Sequence, residues 1–66
     1  MSVSFVVKDW MVIEVMKTRG GSFVQNLGKA AAVADEKNLT RLKTAFPEMW
    51  EQYSEMAKVA YAEDQQ

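Results

Sequence analysis

The sequence contains no cysteine and no histidine. Without cysteine, the chain can form no disulfide, no thiolate metal site and no cysteine nucleophile. Without histidine, it lacks the most common general base and the most common metal ligand. The remaining candidate acids and bases are carboxylates, lysines and tyrosines, and a pair such as Glu51 and Glu55 is typical of a solvated helix face. We therefore expect a protein that is not an enzyme and that holds neither a metal nor a cofactor.

The chain also lacks a strong net charge and a long apolar run. Its formal net charge is −1 and its pI is about 5.3, which gives no overall attraction to nucleic acid or to anionic membranes. The apolar start of the chain has no basic residue before it and is interrupted by Lys8 and Asp9, so it matches neither a signal peptide nor a span of about 18 apolar residues. These features predict a cytoplasmic protein with no membrane partner.

A chain of 66 residues is one small domain, which we assign to residues 1–66 with a frayed tail from about residue 62. A domain of this size buries only about 60% of its unfolded surface. The chain nevertheless carries two tryptophans, three phenylalanines, two tyrosines and five methionines. Without disulfides or metals, so much apolar surface predicts a homo-oligomer whose subunits complete one another's core.

The first segment, about 5–19, predicts a helix with apolar residues on more than one face. Lys17 and Arg19 in its last turn suit the negative end of the helix dipole, and Gly20 is a natural residue just past a helix C-terminus. The alternative is an intersubunit strand over residues 3–16, because β-branched residues alternate there. The pattern favours the helix.

Three further segments complete an all-α bundle of three to four short helices. The second helix, 23–34, is expected to begin at a capping box formed by Ser22 and Gln25. The third is expected to begin at Asp35, which is a good N-cap. Pro47 ends the third helix, because proline disfavours a helical residue before it, and it also begins the fourth.

The second segment has a narrow face made of small side chains. Small residues allow another backbone to approach closely, so we expect tight packing here. The residues concerned are Gly28, Ala30, Ala31 and Ala34.

The apolar faces of the first and fourth helices predict the surface through which the protein binds first its own copies and then a protein target. The side chains expected at these contacts are Trp10, Met11, Ile13, Trp50, Tyr53, Met56 and Tyr61. The leading functional prediction is therefore an oligomeric binding protein.

An alternative function is the capture of a phosphate-containing small molecule, such as a nucleotide signal, by the sequence KTRGGS before the second helix. Free amides at a helix N-terminus, two glycines and two cations suit an anion. The spacing differs from that of a P-loop, and a simple chain turn explains the same residues. The candidate ligand residues are Lys17, Arg19, Gly20, Gly21, Ser22 and Phe23.

DNA binding is a weaker alternative. The second and third helices loosely resemble a helix-turn-helix, and the third carries Lys37, Arg41 and Lys43. Because the connection lacks glycine and the whole chain is acidic, we do not expect nucleic acid as a partner.

Charge is unevenly distributed along the chain. Residues 17–46 hold six basic and two acidic residues, a net charge of +4, whereas residues 47–66 hold one basic and five acidic residues, a net charge of −4. Ordinary solvated faces explain this distribution, but so does head-to-tail complementarity between subunits.

The stretch FVQNLGKAAAVADEKNLTRLKTAFPEMWEQY, residues 23–53, resembles short helical proteins of phages and bacterial mobile elements. The resemblance rests on the FVQ helix start, the Ala-Asp cap, AFP, and the aromatic pair Trp50 and Tyr53, and it covers about half of the chain. It implies a small helical accessory factor or an inhibitor of a host protein, and no functional residue carries over from it.

Overall fold

A computed structural model describes residues 6–64, and in this range the chain is helical with no strand. The predicted all-α fold is therefore confirmed. The strand alternative is wrong for Asp9–Met16, which lie in the first helix; residues 3–5 lie outside the described residues. The helices are α1 (Asp9–Arg19), α2 (Ser22–Ala32), α3 (Glu36–Ala45) and α4 (Pro47–Asp64).

Helix α1 begins later than the hydrophobic pattern predicts. Val6, Val7 and Lys8 are not helical, and Lys8 is the N-cap in an extended conformation. The physical reason is electrostatic, because a start at Asp9 places the Asp9 carboxylate at the positive end of the helix dipole. At the other end of the helix, Arg19 lies in the last turn, where the dipole favours a positive charge.

Four predictions about helix ends are confirmed: Gly20 directly follows α1, Pro47 begins α4, and two more concern α3. The Asp35 carboxylate accepts a hydrogen bond from the backbone amide of Asn38 at 2.8 Å, as an N-cap does. Phe46 departs from helical geometry directly before Pro47. The capping box is wrong, because Ser22 is already the first residue of α2. The extended N-cap is Gly21, which has no side chain to accept a hydrogen bond.

The core is formed mainly between α1 and α4. Met16 and Ala57 are fully buried, and Val12 is 1% exposed. Helix α1 packs against both α2 and α4, whereas α3 makes only marginal contacts with α2 and α4 and contributes no buried residue. The third helix is therefore the least firmly attached element.

The narrow face of α2 allows the close approach predicted for it. A Cβ atom at Gly28 would lie 3.1 Å from Met16 Cβ and 3.3 Å from the Lys17 backbone nitrogen, so α1 and α2 touch closely at this point. Ala31 is also buried, at 3% exposure. Ala30 is exposed instead, so the predicted face is narrower in the structure than in the sequence.

Candidate functional site

Two of the predicted interface residues belong to the core of the single chain. Met11 is 8% exposed and Tyr53 is 9% exposed, and both pack within the cluster that α1 and α4 share. Within one chain, α4 already covers that side of α1, and a contact of these two side chains between subunits stays a prediction. Ile13, Trp50, Met56 and Tyr61 are half-buried, and Trp10 is exposed.

The exposed Trp10 ring pairs with Tyr61. Their ring centroids lie 5.4 Å apart in an edge-to-face arrangement, which joins the start of α1 to the last turns of α4. Such a pair contributes about 0.5–1.5 kcal/mol beyond simple burial. Trp10 is still 56% exposed, so this pair presents apolar surface to solvent.

A second aromatic pair lies at the junction of α3 and α4. Phe23, at the start of α2, meets Phe46 edge-to-face with centroids 5.8 Å apart. Phe23 is 59% exposed and Phe46 is 36% exposed. A shallow cavity of about 240 Å³ lies beside Phe46, lined by Ala45, Pro47, Glu48 and Met49. This pair therefore forms a second apolar surface.

Lys43 is held against α1 and α4. Its Nζ atom lies 3.1 Å from the Asp9 carboxylate and 5.4 Å from the centre of the Trp50 ring. Because both charged side chains remain partly exposed, an ion pair of this kind contributes only about 0–1 kcal/mol. Lys43 remains partly exposed in this contact, so the DNA-binding alternative stays a prediction.

The predicted phosphate residues lie together at the turn between α1 and α2. Lys17 forms a 4.0 Å ion pair with Glu14, and Arg19 and Ser22 are exposed. Helix α2 starts without a side-chain cap, so its first amides are open. The phosphate site stays a prediction, because an uncapped helix start has the same geometry whether or not an anion binds.

The two glycines of this turn have different roles. Gly20 is extended, with φ −78° and ψ 161°, so it does not need the left-handed conformation that a helix-ending glycine often adopts. It needs space: a Cβ atom here would lie 2.5 Å from Val24 Cγ1 and 2.7 Å from the Met16 carbonyl oxygen. A Cβ atom at Gly21 would meet nothing within 4 Å, so packing does not require glycine at that position.

Sequence reasoning missed an open groove between α2 and α3, here called the α2–α3 groove. Its volume is about 510 Å³, and it is lined by Ala30, Val33, Ala34, Asn38, Arg41 and Leu42. Val33, the residue just after α2, is 86% exposed at the groove. The available signal was Ala30, which helical spacing places on the side of α2 opposite Gly28, followed by the small side chain of Ala34 in the connection to α3.

The described part of the chain was compared with the requirements of a metal site and of a membrane-spanning helix. Among the side chains of residues 6–62, no three acidic groups cluster as metal ligands would. Within residues 6–64, no helix combines the length and the apolar character needed to cross a bilayer.

No protein family matches the sequence, and no curated protein or solved structure is significantly similar to it. The resemblance to phage and mobile-element proteins therefore stays a prediction.

Proposed function

We propose that the protein is a small non-enzymatic binding protein that assembles with its own copies and presents apolar helix surfaces to a protein target. The observation that carries this proposal is the exposure of large apolar side chains outside the α1–α4 core. Among the described residues, five of them are more than half exposed: Val6, Trp10, Phe23, Val33 and Val59.

The amount of exposed apolar surface determines how many of these side chains a stable complex must cover. Fully burying a valine or phenylalanine side chain contributes about 1.5–3 kcal/mol, so covering the exposed half contributes roughly 1 kcal/mol. A micromolar complex needs about 8 kcal/mol after the entropy cost of association. One aromatic pair alone is therefore insufficient, and several of these surfaces must be covered together, as in an oligomer bound to a target.

The resemblance to phage and mobile-element proteins suggests that the target is a protein of the host cell. The protein would then act by occupying a surface of that target rather than by chemistry. The aromatic surface around Phe23 and Phe46 is the preferred contact, because aromatic side chains contribute most strongly at protein interfaces.

Site-specific photo-crosslinking in host cells tests this function. A photoreactive phenylalanine analogue replaces Phe23 in one variant and Trp10 in another, and an exposed control position on α1, Thr18, carries it in a third. We expect covalent adducts, either to a second copy or to one host protein, at Phe23 and Trp10 but not at Thr18. Equal or absent crosslinking at all three positions would contradict the proposal.

A further inference from the structure

We infer that the α2–α3 groove receives the outer face of α4 from a second copy of the chain. This inference rests on the self-assembly in the proposed function and names the two surfaces that meet. The groove is open because α4 of the same chain does not line it, and the backbones of α2 and α4 do not come close together along the described residues.

The rim of the groove is basic. Lys37 and Arg41 are exposed and lie one helical turn apart on α3; Arg41 lines the groove itself, and Lys37 lies next to the lining residue Asn38. Lys29 is exposed one turn before Val33 on the α2 side. Two acidic residues are close in sequence: Asp35 caps the backbone amide of Asn38, and Glu36 is exposed on the face of α3 that points away from Asn38 and Leu42.

The outer face of α4 is acidic. Glu48, Glu51 and Glu55 are exposed at helical spacing and define what we call the acidic stripe. Lys58 is also exposed at the edge of the stripe, and Val59, one turn beyond Glu55, is 60% exposed. The stripe thus combines carboxylates with an apolar side chain at its end.

The two surfaces match in spacing as well as in sign. Glu51 and Glu55 lie four residues apart, as do Lys37 and Arg41, so each pair is separated by about 6 Å along its helix axis. Two carboxylates can therefore face two cations at once. An amphipathic helix face that lies in an apolar groove is a common recognition mode, and Val59 would meet the exposed apolar lining at Val33.

Charge reversal tests this contact. The groove variant carries Lys37→Glu and Arg41→Glu, and the stripe variant carries Glu51→Lys and Glu55→Lys. Each variant places like charges on both contacting surfaces, so sedimentation velocity should show self-association weakened by roughly a hundredfold or more. A control variant with Lys8→Glu and Arg19→Glu changes the net charge as much as the groove variant does, and it should associate like the unmodified protein.

Mixing the two variants gives the decisive result. The unchanged stripe of the groove variant then meets the unchanged groove of the stripe variant, and the two reversed surfaces also complement each other. We expect the equimolar mixture to recover the sedimentation coefficient of the unmodified protein. An independent measurement without variants is the salt dependence: association should weaken when NaCl rises from about 0.1 M to about 1 M, because exposed charges are then screened.

The outcomes separate this inference from the proposed function. If the unmodified protein associates but the variants associate equally well, or their mixture recovers nothing, the groove contact is wrong and self-assembly stands. If the unmodified protein remains a monomer at every concentration, both the contact and the self-assembly are wrong.

Discussion

Replacing Gly20 with alanine should destabilise the protein, because the turn between α1 and α2 has no space for a methyl group. The new Cβ would lie 2.5 Å from Val24 Cγ1, 2.6 Å from Val24 Cβ and 2.7 Å from the Met16 carbonyl oxygen. Neither a backbone carbonyl nor a Cβ atom can move away independently of its helix. The end of α1 and the start of α2 must therefore separate.

The magnitude follows from two opposing effects. Overpacking of this kind costs about 1–3 kcal/mol. Alanine also restricts the unfolded chain, which offsets about 0.4–1 kcal/mol. The net loss of roughly 1–2 kcal/mol should lower the melting temperature by about 5–15 °C, since 1 kcal/mol corresponds to about 4–8 °C in a domain of this size.

Gly21→Ala is the matched control in the neighbouring position. Nothing lies within 4 Å of a Cβ atom at Gly21, and its φ of −71° suits any residue. Alanine stabilises the protein by restricting the unfolded chain, but it is a poorer N-cap than glycine. These effects oppose each other, so the free energy of unfolding should change by no more than about 0.5 kcal/mol. Thermal melts followed by circular dichroism at one low concentration compare the variants. Equal melting temperatures for the two variants would refute the packing argument.

Three further predictions follow from burial, capping and charge. Met16→Ala should lower the free energy of unfolding by about 2–5 kcal/mol, because Met16 is fully buried. A 66-residue domain has roughly 3–10 kcal/mol of stability, so this loss should clearly lower the urea midpoint. An unchanged midpoint would contradict the assigned core. Asp35→Ala should lower the free energy of unfolding by about 1 kcal/mol, whereas Asp35→Asn should retain the N-cap and the stability. If urea unfolding shows the same loss of stability for both variants, Asp35 does not act as a cap. A double-mutant cycle on Asp9 and Lys43 should give a coupling of about 0.2–1 kcal/mol, and a coupling of zero at low salt would show that the ion pair contributes nothing.

Helix boundaries were largely predictable because they depend on local chemistry. Asp35 can cap α3 with its own side chain, and Pro47 restricts the residue before it wherever the helix packs. Ser22 misled the prediction because a serine and a glutamine three residues later form a capping box only when the serine lies at the N-cap. Here Gly21 takes that position, and the choice depends on how α1 and α2 pack.

The candidate surfaces were only partly predictable. Helix α1 is apolar on more than one face, so the sequence could not indicate that Met11 would be covered within the chain while Trp10 would remain exposed. The α2–α3 groove depends on the relative placement of two helices, which no local signal specifies. Gly20 illustrates the same limit: its need for space arises from Val24, four residues away on the next helix.

Sedimentation velocity of the unmodified protein over a wide concentration range tests the central claim most directly. We predict a species whose mass is an integer multiple of 7.5 kDa and whose population grows with concentration. Covering the exposed apolar side chains between copies is the driving force for this assembly. A single species of 7.5 kDa at every concentration would contradict the account, because the chain would then tolerate these surfaces in water as a monomer.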